Sequence, residues 1–136
     1  MSPLFADAHD LPVGYWRWSH FQPAEMCDPS GELLVEPALM DKLEQLREDC
    51  GFPLPISSGY RTAAHSVAVG GSATDPHTLG LAVDIAIGAN DRRAYYVLRA
   101  AFLGGWAGIE VKGDHIHVDM APSRPDAPRP LFFGVE

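Results

Sequence analysis

The sequence predicts an α+β fold, in which helices pack on one face of a small, mostly antiparallel sheet. Two stretches alternate large apolar residues with small or polar ones, as a strand does, and they run from Leu81 to Ile87 and from His115 to Met120. Two longer stretches, Glu36 to Cys50 and Asp91 to Leu103, repeat apolar residues with the period of a helix. These four elements form the predicted frame of the protein.

Length and composition predict a single domain over residues 1–136, with an N-terminal extension at 1–20 and a Pro-rich tail at 121–136. The chain has 136 residues, 46% of them hydrophobic, which is enough for one independent core. Its formal net charge is -8, which argues against nucleic acid or an anionic membrane surface as the main partner, because both attract clustered Lys and Arg. A neutral or cationic substrate, or one held by a local positive centre such as a metal, fits better.

Targeting and redox signals are sparse. The first ten residues lack a basic start followed by an apolar run, and no window approaches 18 uninterrupted apolar residues. We therefore expect neither a signal peptide of that kind nor a membrane span, and we expect a monomer. Cys27 and Cys50 are the only cysteines. Two free thiols are favoured, and a single bridge between them stays open.

The N-terminal third is expected to be scaffold. Residues 1–13 read as an extended surface segment, and a group of aromatic residues that follows is expected to seal one end of the core, with a substrate groove as the alternative. That group consists of Tyr15, Trp16, Trp18 and Phe21. In the helix from Glu36 to Cys50, Pro37 suits the first turn and Gly51 suits the C-terminal cap.

The middle of the chain alternates short elements with loops. An extended segment at 59–61 is followed by a brief helix at 62–69 and a glycine-containing loop at 70–74. Asn90 or Asp91 is expected to cap the second long helix. A strand at 106–111 and a turn at Lys112-Gly113 then lead into the His-containing strand, and the tail ends in an apolar segment at 131–133 that is expected to dock on the domain.

Strand periodicity directs two clusters of metal-type ligands to a common side. In the first strand the large apolar residues face one way, so Asp84 faces the other, shortly after His77. In the second strand His115, His117 and Asp119 share the face opposite Ile116, Val118 and Met120. The two strands therefore present carboxylate and imidazole groups to one site.

This composition is typical of a catalytic zinc site. Such sites use three His or Asp ligands and leave one position for water, whereas structural zinc sites are closed by four ligands that are often Cys. A hydrolytic site also needs a proton acceptor, and Asp114, three residues before His117, is the candidate. Strict alternation would place Asp114 on the other face, so Gly113 must let the chain bend. Spacing alone does not choose between His115 and His117 as the ligand.

Four motifs carry a resemblance to a known family over roughly Phe21 to Asp119. The motifs are Ser58-Gly59-Tyr60-Arg61, then Val69-Gly70-Gly71, then His77 with Gly80, Ala82 and Asp84, and finally Asp114 with His115, His117 and Asp119. With them the chain resembles the zinc peptidases of the D-alanyl-D-alanine carboxypeptidase and L-alanyl-D-glutamate endopeptidase family. That peptidoglycan-cleaving group includes phage endolysins and shares its zinc fold with the hedgehog signalling domain.

The resemblance implies a role for each matching residue. His77, Asp84 and His117 would be ligands of Zn²⁺, and Asp114 would be the general base. Arg61 would stabilise the oxyanion or hold a substrate carboxylate. The remaining candidates for contact with the substrate or with the ligands are His115, Asp75, Ser66, Tyr60 and Asp119, of which Asp119 could orient a ring nitrogen of His117.

Two departures from the family pattern affect the predicted reaction. Asp75 replaces a small hydroxyl residue two positions before the first ligand, and Ser66 replaces an Asn. The charge of Asp75 disfavours a substrate C-terminal carboxylate nearby, so the sequence favours endopeptidase over D,D-carboxypeptidase cleavage of peptidoglycan stem peptides.

Two rival functions stay open. One is a non-catalytic, zinc-stabilised module that binds the cell wall or forms part of a phage tail. The other is hydrolysis of a non-peptide amide, or another metal-dependent reaction, on the same fold. The resemblance implies action at the bacterial cell wall or periplasm. Without a signal peptide, we expect cytoplasmic synthesis followed by release on lysis, carriage in a virion or another route.

Overall fold

A computed structural model describes residues 3–134 and confirms the predicted α+β fold. The helices are α1 (Pro23–Met26), α2 (Pro37–Cys50), α3 (Ala63–Ala68) and α4 (Asp91–Leu103), with 3₁₀ helices at Ala8–Asp10 and Pro76–Leu79. The strands are β1 (Leu4–Phe5), β2 (Leu33–Leu34), β3 (Ile56–Ser58), β4 (Ala82–Ala86), β5 (Gly108–Val111), β6 (His115–Asp119) and β7 (Leu131–Gly134). The ends of the predicted extension and tail, residues 1, 2, 135 and 136, lie outside the described residues.

The main sheet has five strands in the order β3-β4-β6-β5-β7. Every pair in it is antiparallel except β5 with β7, which are parallel. The predicted apolar tail segment is therefore an edge strand, joined to the sheet by backbone hydrogen bonds such as Leu131 N–H to the Ala107 carbonyl at 2.8 Å. Phe132 and Phe133 stay half-exposed, so the segment attaches through its backbone more than through buried side chains.

One face of the sheet forms the core together with the two long helices. Val83 of β4 lies opposite Val118 of β6, and Ile85 lies opposite Ile116, and all four side chains are buried. The helices complete this core with apolar side chains at helical spacing. These are Leu39, Leu43 and Leu46 from α2 and Val97 and Ala101 from α4. The polar residues of the same strands must face the other way, since neighbouring side chains on a strand alternate.

The long helices begin and end where their capping residues predict. The side chain of Asn90 accepts a hydrogen bond from the backbone N–H of Arg93 at the start of α4. Gly51 ends α2 with a positive φ of 75° and donates its N–H to the Arg47 carbonyl. Helix α4 lies against β6, and α2 packs beside α4 in the same core. The cleft lies on the opposite face of the sheet.

The aromatic group near the N-terminus packs on the main core, as predicted. Trp18 and Phe21 are buried, and the indole N–H of Trp18 donates to Asp41 of α2 at 2.8 Å. In the part of the chain that the structure describes, both cysteines are free thiols, and no helix is long and apolar enough to cross a membrane.

Candidate metal centre

The register of three neighbouring strands builds the floor of a polar cleft on the open face of the sheet. Asp84 of β4 lies opposite His117 of β6, which in turn lies opposite Glu110 of β5. In the next row of the sheet, Asp119 of β6 lies opposite Gly108 of β5. Directly paired residues point to the same face, so the strands alone bring Asp84, His117 and Asp119 together.

His77 reaches this floor from a single turn of 3₁₀ helix. The Asp75 carboxylate accepts the backbone N–H of His77 at 2.9 Å and thereby caps the turn, and Gly80 ends it with a φ of 71°. The imidazole is buried, and its Nε2 lies 3.2 Å from Oδ1 of Asp84. The third member of the group thus comes from a loop above the sheet.

The three side chains form a group suited to one metal ion. Nε2 of His77 and Nδ1 of His117 lie 3.2 and 3.1 Å from the same Asp84 oxygen, and the three donor atoms lie within 4.8 Å of one another. The other nitrogen of each ring is already bonded, that of His77 to the Gly59 carbonyl and that of His117 to Asp119, both at 2.8 Å. Zinc-binding histidines are oriented by such outer bonds, so the residues fit Zn²⁺.

The protonation of the metal-free group follows from its hydrogen bonds. Burial would raise the pKa of Asp84, but the bonds from His117 and His77 outweigh burial and hold that pKa well below its usual range. Burial would lower the pKa of His117, yet the carboxylates of Asp119 and Asp84 raise it to about 9. Asp84 is therefore an anion ready to bind a cation, and metal binding must displace a proton from His117.

Arg61 lies beside Asp84. Its Nη2 donates to Oδ2 of Asp84 at 3.1 Å and its Nε donates to the Ser58 hydroxyl at 2.9 Å. Its backbone N–H also bonds to the carbonyl of His77. The guanidinium is thus oriented from two directions at the edge of the metal group.

Asp114 lies outside the residues that line the cleft and is bonded to His115. Its side chain is 86% exposed, at the turn between β5 and β6, and its Oδ1 lies 2.7 Å from Nδ1 of His115. The bond with His115 holds the pKa of Asp114 below its ordinary value. His115 lines the cleft, and its Nε2 lies 3.8 Å from Oδ2 of Asp84. Asp114 is thus bonded to a residue of the cleft, His115.

Ser66 and Asp75 support the loop that carries His77. Ser66 is buried and donates its hydroxyl to Oδ2 of Asp75, while Oδ1 of Asp75 caps the 3₁₀ helix. A Cβ at Gly71 would lie 2.5 Å from Asp75 and 2.6 Å from Ser66 oxygens, which explains the glycine there. Both residues act on His77 through the backbone, and Asp75 also forms part of the cleft wall.

Tyr60 lies outside the cleft that contains the metal group. Its hydroxyl donates to Glu32 at 2.7 Å, and burial together with this bond raises the pKa of Tyr60 to about 12. The cleft is lined by other residues, so the structure does not bring Tyr60 to the metal group.

The cleft above the metal group has a volume of about 520 Å³ and includes a residue that the sequence did not indicate. Arg129 enters it from the tail, just before β7, and its Nη1 lies 3.5 Å from Oδ2 of Asp119. Nothing in the local pattern marks this position, because it depends on the pairing of β7 with β5. Glu110 and Lys112 of the β5 side also line the cleft.

Comparison with known protein families gives a match to most of the chain. A family model described as Peptidase M15 matches residues 16–119, roughly three quarters of the chain. The matched range contains the metal group, Arg61, Asp114 and His115, whereas Arg129 lies beyond it. No curated protein matches the chain.

Proposed function

The chain belongs to the peptidase M15 family of zinc metallopeptidases, and on that premise we propose that it hydrolyses an internal amide bond of peptidoglycan stem peptides. The observation that carries this proposal is the group formed by His77, Asp84 and His117. Two imidazole nitrogens and one carboxylate oxygen converge there, at the bottom of an open cleft. The second nitrogen of each ring is already bonded, as it usually is in zinc-binding histidines.

Nε2 of His77, Oδ1 of Asp84 and Nδ1 of His117 would hold the ion. When bound, zinc would supply a Lewis acid that polarises the scissile carbonyl and acidifies a water molecule. The chain must then provide a proton acceptor, a donor for the oxyanion and a way to position the peptide.

Proton transfer is assigned to the pair Asp114 and His115. Asp114 is the base that the family resemblance implies, and in this structure its carboxylate holds Nδ1 of His115. His115 then directs its Nε2 toward the metal group. In this assignment Nε2 of His115 accepts the proton of the attacking water and returns it to the leaving amine, while Asp114 orients the ring and stabilises its charged form.

Arg61 is suited to the developing oxyanion. Its guanidinium is permanently charged, and the Ser58 hydroxyl and the Asp84 carboxylate fix its plane. A donor that is oriented before the reaction stabilises a new negative charge without reorganisation.

Asp75 supports cleavage at an internal bond. Its carboxylate lines the cleft on the side of His77, so a free C-terminal carboxylate of a substrate would meet a like charge there. Both Asp75 oxygens are also engaged, with Ser66 and with the His77 backbone, which does not favour Asp75 as a fourth ligand. That engagement supports the enzyme over a closed, structural zinc module that binds the wall or forms part of a phage tail.

The proposed site of action is the bacterial cell wall, reached by lysis, in a virion or by another route. The proposal is tested by mass spectrometry of purified peptidoglycan incubated with the zinc-loaded protein, beside a chelator-treated sample and the Asp84→Asn variant. We expect chelator-sensitive fragments with new termini inside the stem peptide. Release of terminal D-Ala alone would assign a carboxypeptidase instead.

Unchanged fragments from several wall types, with one zinc per chain verified, would contradict the proposed reaction. Co-sedimentation of the protein with the same walls would then decide whether a binding module takes its place.

A further inference from the structure

We propose that Arg129 binds a carboxylate of the peptide substrate and so selects stem peptides that carry this group close to the scissile amide. This inference rests on the proposed function and adds to it a specificity-determining residue from the tail. The cationic side chains of the cleft differ in how well hydrogen bonds, ion pairs and water satisfy their charged groups.

Two of the three cations that line the cleft have hydrogen-bond partners or free access to water. Arg61 donates hydrogen bonds to Ser58 and Asp84. Lys112 lies 3.6 Å from Glu110, and its side chain is 39% exposed, so water can solvate it. Arg129 has less of both, because its side chain is only 13% exposed and, within residues 3–134, its one ion pair is the 3.5 Å contact with Asp119.

The donors of Arg129 are unsatisfied within the protein. Over residues 3–134 its guanidinium makes no hydrogen bond, and its Nε is buried without any partner. A buried charged donor without a partner is costly, since its desolvation goes uncompensated. Because Nε is enclosed, an incoming acceptor must approach the two terminal nitrogens, a geometry that a carboxylate can match with both of its oxygens.

Both oxygens of Asp119 are already engaged by other donors. Its Oδ2 already binds Nε2 of His117 at 2.8 Å, and its Oδ1 accepts the backbone N–H of Ala121 at 3.0 Å. Asp119 therefore serves the metal group first, and the guanidinium remains available to a second anion.

The backbone holds Arg129 in place from both sides. Before it, Arg124 and Ala127 exchange two backbone hydrogen bonds, and the Arg129 N–H donates to the Ser123 hydroxyl at 3.1 Å. After it, Leu131 begins β7 and pairs with Gly108 of β5. A residue fixed in this way can position a ligand without a large loss of conformational entropy.

Arg129 also lies on the opposite side of the cleft from Asp75. Asp75 and His77 stand at the β4 side of the sheet, whereas Arg129 stands at the β5 and β7 side, beyond the His117 ring. The cleft thus repels a carboxylate at one end and attracts one at the other. This charge difference between the two ends fits a peptide that crosses the metal group in one direction, with its anionic group at the Arg129 end.

Two carboxylates of a stem peptide have the required chemistry, the free carboxylate of an internal glutamyl residue and the C-terminal carboxylate. The test therefore uses three synthetic stem peptides: one with both groups free, one with the internal group as a carboxamide, and one with the terminal group as a carboxamide. The zinc-loaded wild type is compared with Arg129→Gln. Calorimetry gives Kd and mass spectrometry gives kcat/KM, so binding is tested even where no bond is cut.

We expect the wild type to prefer one free carboxylate over its carboxamide by about 10- to 100-fold, the range for a lost charge-assisted pair. Arg129→Gln should abolish that preference and leave the zinc content at one per chain. The carboxamide that removes the preference identifies which carboxylate is bound. Arg129→Lys should retain part of the preference, and Arg124→Gln, an exposed residue of the same tail, should retain all of it.

An equal loss for all three peptides in Arg129→Gln, or no preference in the wild type, would overturn the inference and leave Arg129 a structural partner of Asp119. The two proposals fail separately. Carboxylate-dependent binding without cleavage would refute the peptidase and support the role of Arg129. Cleavage without carboxylate dependence would support the peptidase and refute the role of Arg129.

Discussion

Asp84 and His117 are direct cross-strand partners, and Oδ1 of Asp84 lies 3.1 Å from Nδ1 of His117. The pair therefore needs no loop to assemble, because the register of β4 and β6 alone places both donors on the open face. Every functional group that we assign is arranged around this pair. His77 lies above it, Arg61 and His115 contact the second oxygen of Asp84, and Asp119 lies behind His117.

Removal of a ligand should remove the metal. His77→Ala is expected to weaken zinc affinity by at least about 100-fold, because changes even to the outer partners of a metal site cost 10- to 100-fold. Zinc per chain, measured by elemental analysis after dialysis, checks this. His20→Ala is the matched control, since His20 belongs to an exposed His and Glu group on the surface and should keep full zinc. Full zinc retention in His77→Ala would refute the assigned ligand set.

The Asp114 and His115 pair should affect turnover without affecting metal content. Asp114→Ala and His115→Ala are each expected to lower kcat by about 10²- to 10⁴-fold, the usual contribution of general acid–base catalysis. The control is His9→Ala, because His9 and Asp7 form a similar pair at 2.8 Å on the surface. Undiminished kcat in both variants of the pair, with zinc bound, would exclude the pair from proton transfer.

Arg61→Lys should separate geometry from charge at the oxyanion position. Lysine keeps the charge but cannot bond Ser58 and Asp84 from one rigid plane. We expect kcat to fall by about 10²-fold or more with KM changed far less, because a donor to the oxyanion acts mainly in the transition state. A change confined to KM would instead assign Arg61 to substrate binding.

Gly108 should be intolerant of a side chain. A Cβ there would lie 2.4 Å from both Arg129 Nη1 and Asp119 Oδ2, so Gly108→Ala must push apart the two residues behind His117. We expect weaker zinc affinity and a loss of about 1–3 kcal/mol in the free energy of unfolding. Gly113→Ala is the control, because a Cβ at Gly113 would meet open space. Equal stability and zinc affinity in the two variants would count against the close packing of Asp119 and Arg129.

Asp28 should control acid stability. The buried carboxylate accepts the N–H groups of Ser30 and Thr62 and contacts His65. Burial would raise its pKa, but these bonds lower the pKa below 3.8. Its stabilising contribution is therefore complete above pH 3.8 and is lost as the pH falls through its lower folded-state pKa.

The Asp28→Asn variant tests this in the zinc-free protein, where metal loss cannot contribute. It should lose about 1–3 kcal/mol at pH 7 and show a smaller further loss between pH 4 and pH 2 than the wild type, measured by urea unfolding. Asp126→Asn, a change in the exposed tail, should follow the wild type. A parallel acid dependence in Asp28→Asn and the wild type would contradict the assignment.

Local periodicity predicted the parts of the site that depend on single elements. The alternation in β4 and β6 placed Asp84, His115, His117 and Asp119 on one face, and the helical repeats located α2 and α4 with their caps. These predictions succeed because an alternating strand has one apolar side, and burial of that side determines where the polar side points.

The remaining features depend on contacts between distant segments or on a side-chain conformation. Arg129 reaches the cleft only because β7 pairs with β5, and no local pattern encodes that parallel pairing. Asp114 forms a hydrogen bond with its neighbour His115, and Tyr60 forms one with Glu32. Both bonds depend on side-chain rotamers, which sequence spacing does not reveal. The motif that contains Tyr60 was visible in the sequence, but its orientation was not.

The three ligands differ in how firmly the fold supports them. Asp84 and His117 belong to the centre of a hydrogen-bonded sheet, whereas His77 stands on one 3₁₀ turn between the Asp75 cap and Gly80. Such a turn opens locally at far lower cost than a central strand. We therefore expect His77 to dissociate first when a chelator removes the ion. Asp84 and His117 should stay in position on the sheet, so that metal can bind again without refolding of the strands.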